Sequence, residues 1–251
     1  GLAPYGWATS RGDAHADRWS QGRRSSILTF LPSPCVLRVP SCPAKSSRRR
    51  IAGPRSIYWH AFPPPDTIPP MRNRVALLRG INVGGHRRVP MADLRALCPA
   101  LGFDYFATYI QSGNLVFASS LAPPAAARRL EEALAQRFGF PVDVVVRTAA
   151  QWETYARNCP FAAANGKEPE RVMLLLCRQS PNADAVDVLR THAAAGEQIA
   201  RQGDAVWIHY PSGIGTSRLS PARLDLALGA PATARNGKTV VALRALLQEA
   251  R

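Results

Sequence analysis

The chain has 251 residues, which fits one or two domains, and 46% of them are hydrophobic, which excludes a wholly disordered protein. It contains 32 Lys and Arg against 17 Asp and Glu, and the resulting formal charge of +15 favours an anionic partner such as nucleic acid, a membrane surface or a phosphorylated ligand. No apolar run approaches the ~20 residues needed to cross a bilayer, which excludes an integral membrane protein.

Residues 1–70 differ in composition from the rest of the chain. They hold 11 of the 22 prolines, and ten Lys or Arg against three Asp or Glu, with no helical or strand periodicity. The first Met is Met71, and a folded pattern begins directly behind it, so we expect 1–70 to be a disordered Arg/Pro-rich extension outside the native fold, such as translated upstream sequence. A targeting peptide and a basic nucleic-acid-binding arm around 48–50 are the alternatives.

The next part of the chain predicts the order β-α-β-β-α-β. Short apolar, aromatic or β-branched runs are typical of strands, and apolar residues three and four apart indicate helices. Pro99 is expected to end the first helix early. The predicted strands lie at 75–78, 105–110, 115–117 and 142–146, and the predicted helices at 91–101, 123–138 and 149–158.

Residues 161–251 predict a second unit with a less complete pattern. Strands are predicted at 172–177, 198–202 and 205–210, and helices at 182–195, 221–228 and from about 239. We find no clear fourth strand, so this unit is either degenerate or closed by a short strand that the pattern does not reveal. The predicted class is α+β, with ferredoxin-like (α/β-plait) subdomains at 71–160 and 161–251, the second degenerate.

Two segments rich in Gly and polar residues, RGINVGG at 79–85 and IQSGN at 110–114, are expected to meet. In a ferredoxin-like unit the first two strands run parallel, so the exit of the first strand and the hairpin after the second lie at the same end of the sheet. We predict a ligand site formed by Arg79, Gly80, Asn82, Gly84, Gly85, Gln111, Ser112, Gly113 and Asn114. Arg87 and Arg88 add charge to it.

The predicted site has a functional and a structural interpretation. In the first, Arg79 pairs with an anion, Asn82 and Gln111 orient it, and the glycines let the backbone approach it. In the second, Ser-Gly-Asn is ordinary hairpin chemistry and Gly84-Gly85 only supplies left-handed turn geometry. The residues alone favour the structural interpretation.

Other patterns carry weaker signals. Residues 232–239 match a loose P-loop pattern, but no apolar strand is evident before it, so a chance match is the better interpretation. The Gly/Ser loop at 212–218 could bind an anion or simply connect two elements. Isolated histidines, and five cysteines without CxxC spacing, argue against a metal site and a disulfide scaffold. The sequence shows no recognisable combination of a nucleophile with a general base, so we predict no catalytic residues. It also identifies no cofactor.

Together, RGINVGG, VPM at 89–91, TYIQSGN at 108–114 and ATARN at 232–236 resemble the bacterial domain of unknown function 1697 family over essentially all of 71–251. The resemblance implies two α/β-plait subdomains and no established activity. It maps family motifs onto both predicted site segments, which raises the weight of the functional interpretation. Two departures occur: Thr216 stands where the family usually has Arg, and Gly237-Lys238 stands where it has Trp-Asn.

The leading hypothesis is a cytoplasmic protein that binds a small anionic or nucleotide-like ligand at the predicted site, with no metal and no membrane partner. One alternative is a nucleic-acid-binding module that uses a basic surface, because 71–251 carry 22 Lys and Arg against 14 Asp and Glu. The other is a structural or interaction protein whose motifs only fix turns. The oligomeric state does not follow from the sequence.

Overall fold

Two four-stranded antiparallel sheets form the frame of the protein. The computed structural model describes residues 72–249, and the predictions made for 1–70 lie outside the described residues. Strands and helices alternate along both halves of this range, which confirms the α+β class.

The first half contains four strands and four helices. They are β1 (Arg72–Leu78), α1 (Met91–Leu97), β2 (Asp104–Tyr109), β3 (Asn114–Ser119), α2 (Pro123–Phe138), β4 (Val144–Thr148), α3 (Ala149–Arg157) and α4 (Ala162–Lys167). The sheet order is β2-β3-β1-β4, so β1 lies between β3 and β4. A short 3-10 turn beginning at Pro99 follows α1, because proline lacks the backbone N–H that would continue the helix.

The second half repeats this order of elements. They are β5 (Val172–Cys177), α5 (Ala185–His192), β6 (Gln198–Gln202), β7 (Ala205–His209), α6 (Pro221–Leu228), β8 (Ala232–Asn236) and α7 (Gly237–Glu249). The sheet order is β6-β7-β5-β8. Each strand therefore has a counterpart at the same place in the first sheet.

Strand β8 is the fourth strand that the sequence does not reveal. It pairs with β5 from Met173 opposite Asn236 to Cys177 opposite Ala232. Thr233 and Arg235 on β8 are buried, although both are polar. Threonine and arginine usually face solvent, so the sequence pattern assigns both residues to the surface. β8 then has no face of large apolar residues in the pattern, which therefore does not indicate a strand. The second sheet has all four strands in place.

Alternation along the central strands distributes the side chains among three hydrophobic cores. The outer core of the first half lies under α1 and α2, and the outer core of the second half under α5 and α6. The shared core joins the inner faces of both sheets with α3 and α7 and contains Val75, Leu77, Trp152, Leu174, Trp207 and Leu243. Because one core serves both halves, residues close to both sheets can form a common site.

Candidate functional site

The two predicted motifs meet at the end of β1, as the sequence predicts. The Asn82 side-chain amide donates a hydrogen bond of 2.8 Å to the Gln111 carbonyl, and the Leu78 N–H donates one of 2.8 Å to the Gly113 carbonyl. We call the two segments together, residues 79–88 and 110–114, the rim. The rim is one continuous surface built from the loop after β1 and the hairpin between β2 and β3.

Asn82 holds the loop in shape. Its side chain accepts a hydrogen bond of 2.8 Å from the Val89 N–H and donates one of 2.9 Å to the Val89 carbonyl. Its backbone has a positive φ of 55°, which asparagine tolerates better than most residues. With the bond to Gln111, the side-chain amide is fully engaged by the backbone, so Asn82 positions the rim.

Arg79 lies between the two halves of the protein. Its guanidinium donates to the Asp225 carboxylate at 2.5 Å and to the Ala232 carbonyl at 3.0 Å, and Nη1 lies 3.6 Å from the Asp143 carboxylate. Asp225 also accepts a hydrogen bond of 2.8 Å from the Ala232 N–H. The charge of Arg79 is therefore compensated within the protein, and Arg79 connects the rim to α6 and β8.

Asn114 is buried beneath the hairpin, where it meets an arginine from the second half. Its side-chain amide donates to the Tyr109 carbonyl at 3.0 Å and to Ser112 Oγ at 2.9 Å, and its Oδ1 accepts from Arg235 Nε at 2.5 Å. Arg235 also donates to the carbonyls of Leu78, Ser112 and Gly113 at 2.9, 3.0 and 3.2 Å. One guanidinium thus fixes the underside of the rim.

Gly113 is required by space as well as by conformation. Its φ is 77°, and a Cβ at this position would lie 2.7 Å from both Ile81 Cδ1 and Leu78 Cβ. Any other residue would force the hairpin away from the loop. Gly113 therefore allows the two segments of the rim to pack closely.

The outer face of the rim remains open to solvent. Gly80, Gly84, Gly85, Gln111 and Ser112 are exposed, as are His86, Arg87 and Arg88. The predicted site residues thus divide into an exposed set and a set committed to internal contacts, namely Arg79, Asn82, Gly113 and Asn114.

A family model described as a protein of unknown function (DUF1697) matches residues 71–207. The chain belongs to this family. The match includes the whole rim and ends before β8, so Arg235 lies outside the matched residues.

The DUF1697 chain also resembles a solved structure. This is the conserved bacterial protein SP0830 from Streptococcus pneumoniae, which is 24% identical, with a TM-score of 0.55 over 71% of this chain and 99% of that chain. At this identity the likeness shows the fold alone. No curated protein matches the chain.

Two interface arginines of this DUF1697 protein were missed by the sequence interpretation. Arg147 on β4 and Arg235 on β8 occupy equivalent positions, opposite Val75 and Leu174 on the central strands. Arg147 donates to the Cys177 carbonyl at the end of β5, as Arg235 does to the Leu78 carbonyl at the end of β1. A repeated sequence pattern could have identified them. VVVRT and ATARN each place Arg directly before a Thr or Asn that caps the next helix.

Arg147 completes its contacts at the hairpin between β6 and β7. Its Nε lies 3.2 Å from the Asp204 carboxylate and donates to the Tyr155 hydroxyl, also at 3.2 Å. Tyr155 in turn donates to Asp204 at 2.6 Å, and burial raises the pKa of its phenol. Each half thus sends one arginine from its last strand to the central strand and hairpin of the other half.

The P-loop pattern, His209 and two of the cysteines have structural explanations within the described residues. The P-loop pattern covers β8 and the first residues of α7 with no loop between them, so it lacks the cradle that a phosphate needs. His209 contacts Glu168 at 2.9 Å.

Burial raises the pKa of Cys98 to about 12 and of Cys177 to about 11, so both thiols are protonated at neutral pH. In residues 72–249, no cluster of metal-binding side chains and no helix suited to crossing a bilayer occurs.

Proposed function

We propose that the exposed face of the rim binds a small anionic, nucleotide-like ligand. The observation that carries this proposal is that two exposed aliphatic residues belong to the same rim as basic side chains that have no carboxylate partner among residues 72–249. Val83 and Ile110 are 44% and 45% exposed, and they directly follow and precede Asn82 and Gln111, the residues whose hydrogen bond joins the two segments. A nucleobase is a flat, largely apolar surface that such a pair can support.

Ile110 adds a conformational argument for a binding role. Its φ is 46°, a left-handed conformation that is unusual for a β-branched residue and costs about 1–3 kcal/mol. The side chain of Ile110 is 45% exposed, so part of its apolar surface is available to a ligand. Strained backbone of this kind clusters at ligand-binding sites.

The charges of the rim suit a phosphate group. Within residues 72–249, the side chains of His86 and Arg88 have no hydrogen-bond or ion-pair partner. Arg87 donates to the Pro141 carbonyl and lies 5.5 Å from the centre of the Phe140 ring, but it has no carboxylate partner among those residues. We assign anion binding to Arg87, Arg88 and His86, hydrogen bonding to Gln111 and Ser112, and the shaping of the site to Arg79, Asn82 and the glycines.

Isothermal titration of the full chain with adenosine monophosphate tests the proposal. Arg88→Ala should weaken binding about tenfold, since a charged hydrogen bond contributes roughly 1.5–3 kcal/mol and 1.4 kcal/mol is a factor of ten. Arg128→Ala is the matched control, because Arg128 is exposed on α2 and has no partner among residues 72–249. Equal affinities of the two variants would contradict the proposal.

Two other results would favour other functions. Binding of single-stranded oligonucleotides that weakens steeply with salt, together with no response to adenosine monophosphate, would indicate a nucleic-acid-binding module. No response to either probe would leave the rim a structural joint between the two segments.

Ile110→Asn separates binding from folding. Asparagine adopts positive φ more readily than isoleucine, so the variant should be at least as stable as the wild type in urea unfolding. It removes the apolar side chain, so its affinity for adenosine monophosphate should fall. A variant that keeps full affinity would show that Ile110 takes no part in binding.

We further propose that each half is a ferredoxin-like unit, with subdomains at 71–160 and 161–251 and the second complete. The repeated order of elements and the matching sheet orders support this assignment. We also propose a cytoplasmic location. Free buried thiols at Cys98, Cys159 and Cys177 support it, because they suit a reducing compartment.

A further inference from the structure

A polar cleft lies on the outer side of the second half, where α5 ends and α6 begins. Its volume is about 630 Å³, within the range of small-molecule sites. Its polar lining consists of Thr191, His192, Ser217, Arg218, Ser220 and Arg223. We call this the α5–α6 cleft, and it shares no residue with the rim.

The cleft concentrates positive charge. Two arginines and a histidine line it, and no Asp or Glu is among its lining residues in the described part of the chain. Across 72–249 the side chains of Arg218 and His192 have no hydrogen-bond or ion-pair partner. The Arg223 guanidinium donates one bond of 3.1 Å to the Arg218 carbonyl, which leaves its other N–H groups open. Two guanidinium groups in one concavity favour an anion with several oxygens.

The hydroxyl groups of the cleft differ in what they can still donate. Ser217 donates to the buried Glu197 carboxylate and accepts from the Leu219 N–H at 3.1 Å, so its proton is committed. Thr191 donates to the Val188 carbonyl at 2.7 Å. Within residues 72–249, the Ser220 hydroxyl only accepts, from the Arg223 N–H at 3.4 Å, and its proton is free for a ligand oxygen.

Glu197 is a buried carboxylate in hydrogen-bond contact with Ser217 of the cleft. It is 9% exposed and accepts hydrogen bonds from Ser217 and from the Ala195 N–H, so its carboxylate is engaged by the protein and is not among the residues that line the cleft. The open donors of the cleft are thus Arg218, Arg223, His192 and Ser220.

We propose that the α5–α6 cleft binds the phosphate group of a small phosphorylated metabolite, with Arg218 and Arg223 as its anchors. The phosphate supplies oxygens for both guanidinium groups and the Ser220 hydroxyl, and the remaining volume holds the body of the ligand. The concave shape favours a compact ligand over an extended polymer, which would need a row of charges along a surface.

The test is isothermal titration of the full chain with glucose 6-phosphate, with glucose and sulfate as reference ligands. Glucose 6-phosphate should bind, glucose should not, and sulfate should bind more weakly. Arg218→Ala and Arg223→Ala should each weaken binding about tenfold, and the double variant should abolish it. Arg88→Ala on the rim and Arg128→Ala on α2 are controls that should keep wild-type affinity.

Three results would overturn the proposal. Equal weak binding of sulfate and glucose 6-phosphate would indicate an adventitious ion only. Unchanged affinity in the double variant, with wild-type unfolding in urea, would place the phosphate elsewhere. A response to oligonucleotides alone, lost in the double variant, would make the cleft part of a nucleic-acid surface.

Discussion

Arg235 carries a positive charge into the interior without a carboxylate partner in residues 72–249. Six hydrogen bonds solvate it instead: those to Leu78, Ser112, Gly113 and Asn114 in the first half, and to Thr233 Oγ1 and the Ala234 carbonyl on its own strand. Burial lowers its pKa to about 10, so it remains charged at neutral pH. Its side chain replaces the water that these acceptors would otherwise need.

Arg235→Met should therefore destabilise the protein by about 3 kcal/mol or more, because several buried acceptors lose their donor at about 1–3 kcal/mol each. Urea unfolding measures the loss. Arg128→Met on the exposed face of α2 should change stability by less than about 0.5 kcal/mol. Similar stabilities of the two variants would show that water satisfies the acceptors in place of Arg235.

The rim shows which properties of individual residues can be predicted from the sequence and which cannot. That its two motifs meet follows from strand order, and it could be predicted. Which of its polar residues are buried could not, because Asn114 and Arg235 belong to types that usually face solvent. Their burial depends on contacts between residues 121 positions apart, which local spacing does not encode.

Among the elements, α3 from the first half and α7 from the second half pack in the shared core. Trp152 on α3 donates to the Val240 carbonyl on α7 at 3.1 Å. Glu153 on α3 accepts two hydrogen bonds from Arg244 on α7, at 2.8 and 2.7 Å, and one from Arg157. The bidentate pair fixes the register of two helices that follow equivalent strands.

The Glu153 pair predicts an acid dependence of stability. The hydrogen bond from Arg244, with a smaller contribution from Arg157, holds the pKa of the Glu153 carboxyl below its ordinary value of 4.5. The stability that the ionised Glu153 contributes is therefore present above pH 4.5 and is lost as the pH falls through its lowered pKa. Glu153→Gln should reduce the difference between unfolding midpoints at pH 6 and pH 3.

The matched control for this prediction is Glu132→Gln on α2, whose side chain is exposed and has no partner in the described range. It should keep the wild-type pH dependence. An equal reduction in both variants would assign the effect to net charge and exclude the helix pair as its source.

Element order was easier to predict than element completeness. Apolar runs and helical spacing identify seven of the eight strands in the described chain, because their core faces are apolar. Strand β8 could not be predicted because two of its five residues, Thr233 and Arg235, are polar and buried. The missing strand and the missed Arg235 are one error with one cause.

At the scale of the whole molecule, the two halves are joined by a shared core and by reciprocal arginines. Val75 and Leu77 from β1 pack in the same core as Leu174 and Trp207 from the second sheet. Each half alone would expose this inner sheet face to water, at roughly 1.5–3 kcal/mol for each large apolar side chain. We therefore expect residues 72–249 to unfold as one cooperative unit.

Leu189→Ala tests this cooperativity from a site that touches only one half. Leu189 is fully buried in the outer core of the second half, so the change should cost about 2–5 kcal/mol. If unfolding is cooperative, native-state hydrogen exchange will show the same loss at the slowest amides of β1 and of β5. Leu130→Ala, in the outer core of the first half, should give the reciprocal result. A loss confined to the half that carries the substitution would mean that the shared core does not couple the two sheets.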